Sequence, residues 1–378
     1  MDITYYLYYL YYTFLGYPFI IRVIVFFDYI FIFILILTII TMIISKQRSY
    51  QRIKWLKEKL DKKYTNPIVN IITSQKDYTS DEIAATLHCN VKKLSYPEKR
   101  ILTNMLFHIS EHESPVNPKN YQNLIVYFNL LQFWEKELKF GNTVAKARAL
   151  RKLDDIKMEV PGSIIASLAF NRNPYLRKKA RASHIYYSKV NPFKFFDEDF
   201  DKTMNDWDKI EIHRMLARRQ NKGLPIFTQW IKNSNNSNFR CFLVNEIKLF
   251  NQKEAAPFLT EIMDTHDVML RKESIDALGE LGYQEAEEWM IKDFMIQPLS
   301  VQHSIIRAIQ KLYTGNALPF LEDAYHSAHD SESKILITKA IFNYGDAGKE
   351  VFYRLKEGTK GFSRIIFEHV SNPLIKNN

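Results

Sequence analysis

The sequence predicts an all-α fold in which a helix long enough to cross a membrane precedes a solenoid of repeated helix pairs. Three observations support this class: an apolar segment near the N-terminus, a repeat period of 31–32 residues, and only 11 glycines in 378 residues. Few turns can therefore adopt positive φ angles, which suits helices joined by short loops. The two cysteines form no CxxC pair, as expected in a reducing compartment.

The predicted transmembrane helix spans residues 23–45. Residues 23–44 contain a single charged side chain, Asp28. At about 1.5 Å per residue, a helix of that length crosses a hydrocarbon core of ~30 Å. A soluble core helix would keep a polar face, which this segment lacks. Asp28 lies near the outer end of the span, where its carboxylate can reach water.

A basic segment follows the span directly. Residues 46–63 carry eight Lys or Arg side chains and two acidic ones. The positive-inside rule places this segment, and the chain after it, in the cytoplasm. We therefore expect an inner-membrane protein that is anchored by its N-terminus and has a cytoplasmic solenoid. Two interpretations of residues 46–63 remain open: the segment contacts anionic lipid headgroups, or it is a charged helix that is only solvated.

Residues 1–22 are predicted to form an aromatic interfacial segment. No charged side chain occurs from Ile3 to Ile21, and seven tyrosines do. Tyrosine favours the membrane–water interface, so a helix at the outer face fits. The alternative is the first half of a helical hairpin, with its turn at residues 16–18 or 22–28.

Residues 46–119 are predicted to form a basic juxtamembrane helix followed by an irregular helical linker. Two segments carry the signal of a helix N-terminus, Thr79-Ser80-Asp81-Glu82 and Ser95-Tyr96-Pro97-Glu98. Apolar residues at helical spacing follow each of them. Ser114-Pro115 is expected to end the second helix.

Residues 120–378 are predicted to form the solenoid, because their apolar pattern recurs every 31–32 residues. A proline opens an apolar helix in phase with this repeat at three places: Leu224-Pro225, Ala256-Pro257 and Leu318-Pro319. Proline suits the first turn of a helix. Each unit is thus a shorter helix, a tight turn and a second helix. The predicted units lie near 162–190, 193–221, 224–251, 255–282, 284–313 and 316–345, with a partial unit at 347–370 and a divergent first pair at 120–139 and 142–156.

The segment Leu270-Arg271 to Ala277-Leu278-Gly279-Glu280-Leu281-Gly282 resembles the second helix of a HEAT repeat. The resemblance covers roughly residues 120–370 and implies a right-handed, armadillo-like α-α superhelix with an extended binding surface. The whole chain is also similar to small, single-anchor bacterial HEAT-repeat proteins, which accompany membrane glycosyltransferases in envelope polysaccharide synthesis. This similarity implies a scaffold or adaptor for a membrane-associated protein partner, accessory to such a system.

Positive charge is concentrated in the middle of the chain. Residues 64–244 carry 28 basic and 18 acidic side chains, whereas residues 245–378 carry 15 and 20. Basic residues of the early units form the candidate partner-binding surface: Arg148, Arg151, Lys152, Arg177, Lys178, Lys179, Arg181, Arg214, Arg218 and Arg219. An acidic protein, anionic lipid or nucleic acid could bind them. The membrane tether favours protein or lipid over nucleic acid, and a solvated basic face remains the structural alternative.

A basic column also runs through the repeats. It includes Arg177, Lys209, Arg240 and Arg271, each at the same position of its unit. We expect these side chains to form inter-repeat hydrogen bonds or ion pairs rather than to bind a ligand.

The motifs do not predict catalysis, so we expect a non-enzymatic protein without a cofactor or metal. His108 to His112 matches the H-x-x-E-H zinc pattern, but its helix ends at once. Asp197, Asp199 and Asp201 resemble the start of a calcium loop that lacks the required Gly and Glu, and acids at a helix N-terminus explain the run better. The alternative function is a HEAT-like nucleic-acid-binding protein, or a lyase- or glycosylase-type enzyme, that uses the basic early repeats.

Overall fold

The computed structural model describes residues 3–156, 162–372 and 374. Parts of the predicted ranges 1–22 and 120–378 therefore lie outside the described residues. The described residues form helices and no strands, and the fold is an all-α solenoid with a transmembrane-like helix. The chain divides into two compact units, Met1–Met158 and Glu159–Asn378. The division falls within the range 120–378, and the domain boundaries read from the sequence stay a prediction.

The first unit contains seven described α-helices and a 3-10 turn (Val91–Lys93). The helices are α1 (Ile3–Gly16), α2 (Phe19–Thr73), α3 (Ser80–Leu87), α4 (Tyr96–His112), α5 (Pro118–Tyr127), α6 (Leu130–Phe140) and α7 (Thr143–Asp155). Thr79 and Ser95 form capping boxes with Glu82 and Glu98, which confirms both predicted helix starts.

Helix α2 is long and apolar enough to cross a membrane, and its most apolar stretch is not buried within the protein. Its 55 residues extend about 80 Å. The basic segment 46–63 lies in the same continuous helix as the apolar stretch. Further along, Leu56, Leu60, Tyr64 and Ile68 recur every fourth residue and are buried, because this face of α2 packs against α4.

The chain between α1 and α2 turns at Tyr17 and Pro18. Proline favours the first position of a helix over its interior, which explains the break. A hairpin turn at residues 22–28 is wrong, because α2 is helical throughout that stretch. Helix α1 has 14 residues and extends about 21 Å, less than the ~30 Å of a hydrocarbon core.

The buried side chain of Asn120 attaches the end of α2 to α5. Its Nδ2 donates to the carbonyl oxygens of Ile71 and Lys76, each at 2.8 Å. Its Oδ1 accepts a hydrogen bond from the backbone N–H of Tyr78 at 2.7 Å. The last turn of a helix leaves carbonyl groups without intrahelical partners, and this amide satisfies one of them within the core.

The second unit consists of helix pairs. They are α8 (Gly162–Leu168) with α9 (Pro174–Tyr187), a 3-10 turn (Lys194–Glu198) with α10 (Asp206–Arg219), α11 (Thr228–Asn233) with α12 (Ser237–Leu249), α13 (Ala256–Ile262) with α14 (Val268–Leu281), α15 (Glu287–Lys292) with α16 (Leu299–Leu312), α17 (Leu318–Ser327) with α18 (Ser331–Phe342), and α19 (Gly345–Gly358) with α20 (Phe362–Val370). Pro257 and Pro319 open their helices as predicted, but α11 begins three residues after Pro225.

The second helices of successive pairs stack on one another. Helix α14 packs against α12 on one side and α16 on the other, and α16 packs against α18. Their buried apolar side chains form one continuous core through the unit. A single pair could not bury its own apolar face, so each pair depends on its neighbours.

Candidate functional site

Two lysines of α9 form ion pairs with acids of α10. Lys178 Nζ lies 2.7 Å from Asp208 Oδ2, and Lys179 Nζ lies 3.0 Å from Glu211 Oε1. Arg214 Nη2 lies 2.8 Å from the same Glu211 oxygen. Burial favours the neutral carboxyl of Glu211, but Arg214 and Lys179 outweigh burial and lower its pKa. Lys178 and Lys179 therefore serve the contact between neighbouring repeats, whereas Arg214 supports Glu211 from within α10.

Two arginines of α9 hold the loop before α10. Arg177 donates from Nε and Nη2 to both carboxylate oxygens of Asp201, at 2.7 and 3.1 Å. Arg181 Nη2 lies 3.1 Å from Glu198, and its Nη1 donates to the carbonyl oxygen of Phe200. Asp201 is only 2 % exposed. Burial alone would raise its pKa, but Arg177 holds that pKa below its usual value.

Two further arginines lie at the end of α10. The guanidinium of Arg218 stacks on the ring of Tyr186 at 4.2 Å. Arg219 Nη1 donates to the carbonyl oxygens of Ile185 and Ser188, at 3.0 and 3.2 Å. Both side chains thus contact the end of α9.

The remaining three predicted residues lie on α7 in the first unit. Arg148 lies near the side chain of Tyr96, and Lys152 Nζ lies 2.8 Å from Asp155 Oδ2. Arg151 is exposed. A partner-binding role for all ten basic residues stays a prediction. The pairing in the second unit nevertheless reduces the positive charge available to nucleic-acid phosphates.

The sequence interpretation missed the acids that these cations bind. Asp201, Asp208 and Glu211 lie 24, 30 and 32 residues after their basic partners. That separation is close to one repeat, and it is the signal that could have identified them. The inter-repeat role predicted for the basic column is confirmed at Arg177. Arg271 plays the same part, because it donates to Thr265 of its own loop and to Gln297 of the next repeat.

A cavity of about 710 Å³, which we call the central groove, opens on α10, α12 and α14. Its lining includes the apolar side chains Ile210, Phe242, Leu249 and Met269 and the polar side chains Lys209, His213, Ser237, Asn238, Cys241, Asn245, Glu246 and Glu273. Mixed lining of this kind is typical of a binding site, in which apolar contacts give affinity and a few polar groups fix orientation.

The groove lies where the ion pairs between repeats stop. Arg307 lies 4.0 Å from Asp276, and Lys311 pairs with Glu280, so charged contacts join α14 to α16. Similar pairs join α9 to α10. Within the described part of the chain, no ion pair joins α12 to α14. The corresponding positions of α12 hold uncharged residues, among them Asn245.

The polar centre of the groove is a contact between His213 and Glu246. His213 Nδ1 lies 2.8 Å from Glu246 Oε2, and the imidazole ring stacks on Phe250. Glu246 is 1 % exposed. Burial raises the pKa of its carboxyl, while the hydrogen bond with His213 opposes that shift. Buried acids with raised pKa values occur both at functional sites and in structural ion pairs. The contact of Glu246 with His213 joins α10 to α12.

Cys241 also lines the groove. Burial, with a smaller effect from the charge of Asp267, raises the pKa of its thiol to about 11. The thiolate is the nucleophilic form of cysteine, so Cys241 is a poor nucleophile at neutral pH.

The two metal patterns lie on α4 and in the segment before α10. The rings of His108 and His112 stack at 4.0 Å near the end of α4. The described residues include no cluster of three or more His, Cys, Asp or Glu that could hold a metal ion. The acids at 197–201 precede α10 and do not lie in its first turn, which corrects the helix N-terminus assigned to them. Asn205 and Asp208 form the capping box there.

Residues 224–292, which include α11 to α15 and most of the central groove, match a family model for HEAT repeats. This match, together with the stacked helix pairs, supports a HEAT-like helical repeat. No curated protein matches the chain. HEAT-like repeats are general protein-interaction motifs, which agrees with the mixed lining of the groove.

Proposed function

We propose that this chain is a membrane-anchored scaffold that binds a protein partner in the central groove and performs no catalysis. The observation that carries the proposal is the groove itself, formed by the second helices of three successive helix pairs, two of which lie in the segment that matches HEAT repeats. Repeat solenoids bind partners on such surfaces, where neighbouring units contribute equivalent side chains. The raised pKa of Cys241 supports a role without a thiolate nucleophile.

The anchor in this proposal is α2. Its exposed apolar stretch supports insertion into a bilayer, and the basic residues after it support a cytoplasmic location for the rest of the chain. Helix α1 then lies in the outer interface, because its 14 residues are short for a span and six of its tyrosines are exposed. Reporter fusions at residues 22 and 60 test this topology. A reporter at residue 60 that is active outside the cytoplasm would overturn it.

The partner is proposed to be a membrane-associated protein. A glycosyltransferase of envelope polysaccharide synthesis is the finer proposal, and it rests on the similarity to bacterial single-anchor HEAT-repeat proteins. Affinity purification of the full chain from detergent-solubilised membranes should recover a partner at a fixed stoichiometry. Repeated recovery of the chain alone would count against the scaffold function.

A matched pair of variants tests the groove. Ile210 and Ile335 occupy the same position of their repeats and are both exposed, but only Ile210 lines the groove. Ile210→Glu should remove the partner from the purified complex, because it places a charge among apolar contacts. Ile335→Glu should leave the complex intact. Equal recovery of the partner with both variants would show that the central groove is not the docking site.

A further inference from the structure

The basic residues that follow the apolar stretch of α2 lie at increasing distances from it. Residues 46–63 belong to the same unbroken helix, so each residue adds about 1.5 Å along its axis. Measured from residue 45, where the sequence predicts the span to end, Lys46, Arg48 and Arg52 lie about 2, 5 and 11 Å along the helix. We call these three side chains the proximal cations.

The proximal cations have no partner among the described residues. All three side chains are exposed, and within the described part of the chain none of them contacts a carboxylate or an aromatic ring. The sequence explains this, because no acidic residue occurs between Asp28 and Glu58. Arg48 and Arg52 are also one helical turn apart, where like charges destabilise a helix. An anion that binds both arginines would relieve this repulsion.

Basic residues farther along the segment contact the protein itself. Lys54 Nζ lies 4.0 Å from Glu58 Oε1, and Lys59 Nζ lies 5.1 Å from the centre of the Trp55 ring. The first acidic side chain after the span therefore lies beside Lys54 and leaves the proximal cations without a counter-charge.

With α2 as the anchor, the proximal cations lie at the depth of phospholipid headgroups. The headgroup layer of one leaflet is about 5–8 Å thick. Electrostatic attraction to it extends about 8–10 Å farther at physiological ionic strength. The basic residues from Lys57 onwards lie about 18 Å or more along the helix, at or beyond this limit.

Tyr50 gives independent support for this depth. It lies between Arg48 and Arg52, about 8 Å along the helix, and its residue surface is 63 % exposed. Tyrosine is enriched at the headgroup level of membranes, because its ring is amphipathic.

We propose that the proximal cations bind the headgroups of anionic phospholipids. The inference rests on the proposed function, in which α2 is the membrane anchor. Guanidinium groups pair with phosphate through charge-assisted, bidentate hydrogen bonds, so Arg48 and Arg52 are the principal donors. A zwitterionic headgroup also brings an ammonium group, which the unpaired cations repel, so lipids with a net negative charge are selected.

Lipid binding at this site sets the position of the first unit. The buried face of α2 begins at Leu56, one turn after Arg52 and about 17 Å beyond residue 45. Because the helix is continuous, headgroups bound to the proximal cations hold this packed face at a fixed distance from the hydrocarbon core.

The test places the full chain in nanodiscs that contain equal amounts of phosphatidylglycerol and phosphatidylcholine. Native mass spectrometry then counts the lipids that the released chain retains. Both leaflets have the same composition, so the orientation of the chain does not affect the result. Phosphatidylglycerol should be retained at least about fivefold over phosphatidylcholine, the preference expected from one cation near an anionic surface. Equal retention of the two lipids would overturn the proposal.

Matched variants locate the site. The triple variant Lys46→Gln, Arg48→Gln and Arg52→Gln should bring the ratio of the two retained lipids close to one. The control removes the same charge from three exposed lysines that lie about 21–27 Å along α2, and it should keep the preference. Its substitutions are Lys59→Gln, Lys62→Gln and Lys63→Gln. An equal loss of preference in both variants would show that net charge, and not the proximal cations, selects the lipid.

Alkaline extraction from liposomes of pure phosphatidylcholine separates this proposal from the anchor on which it rests. A chain that resists extraction but shows no preference for phosphatidylglycerol keeps its anchor and contradicts only the lipid site. Extraction of the chain would overturn the anchor and the lipid site together.

Discussion

Gly279 of α14 lies directly against Ala308 of α16. A Cβ atom at Gly279 would come within 2.6 Å of the Ala308 Cα and 2.8 Å of its Cβ. Neither neighbour is the end of a flexible side chain, so the two helices would have to separate. The spacing between these repeats therefore depends on a glycine at residue 279.

Gly279→Ala is expected to destabilise the second unit. Alanine favours the helix by about 1 kcal/mol over glycine, but overpacking costs about 1–3 kcal/mol where backbone must move. The midpoint of thermal unfolding, followed by circular dichroism, should fall by a few degrees. Gly358→Ala is the control, because an added Cβ there meets nothing within 4 Å. A Gly279→Ala chain as stable as Gly358→Ala would contradict the close contact.

Asp201→Asn should be strongly destabilising, because it leaves the guanidinium groups of Arg177 and Arg181 without their buried carboxylate. Removing one partner of a buried ion pair costs about 3–5 kcal/mol. Asp346→Asn provides the comparison, since Asp346 is fully exposed in its pair with Lys349. That change should leave the unfolding midpoint almost unchanged, because exposed ion pairs add little stability. Similar unfolding midpoints for the two variants would show that the Asp201 contact adds little stability.

The same carboxylate should make the second unit sensitive to acid. The pKa of Asp201 is lowered in the folded state. The ionised carboxylate therefore contributes to folding stability in full above the unfolded pKa of about 4, and this stability is lost as pH falls through the folded pKa. The stability difference between the unmodified chain and Asp201→Asn should therefore shrink as pH decreases from about 5 to 3. A difference that stays constant over this range would contradict the lowered pKa.

Asn120→Ala should destabilise the first unit, because it leaves the Ile71 carbonyl and the Tyr78 N–H without this buried partner. Each unsatisfied buried group costs about 1–3 kcal/mol. Hydrogen exchange should rise in the last turns of α2. Asn343→Ala, at an exposed position, should change neither stability nor exchange. Unchanged exchange in Asn120→Ala would mean that other contacts hold the end of α2.

Cys241 should react slowly with thiol reagents. With a pKa of about 11, only about one thiol in a thousand is ionised at pH 8. A Cys89→Ser chain leaves Cys241 as the single thiol, so its labelling by a chromogenic disulfide can be timed directly. The rate should rise at least about 100-fold when the chain is unfolded in urea. Labelling of the folded chain at the rate of an exposed cysteine would contradict the raised pKa.

Features that depend on a few neighbouring residues were predictable. The capping boxes at Thr79 and Ser95 lie within four residues of their partners, and both form. In contrast, the uninterrupted path of α2 from residue 19 to 73 was missed, because a change from apolar to basic composition does not by itself end a helix.

The candidate site could not be predicted from such local patterns. The contact between His213 and Glu246 joins residues 33 positions apart, and the order of residues does not show how far one repeat rotates against the next. Likewise, the charges of Lys178 and Lys179 suggested a free basic surface until their distances to Asp208 and Glu211 were known.

The amino-acid sequence alone determined the helical class, the apolar helix and the repeat period, because these follow from composition and from spacing along one helix face. The stacking of the repeats determined which basic side chains are paired and where the central groove opens. Those properties depend on distances between residues about one repeat apart. The packing of the helices sets these distances, and local sequence does not.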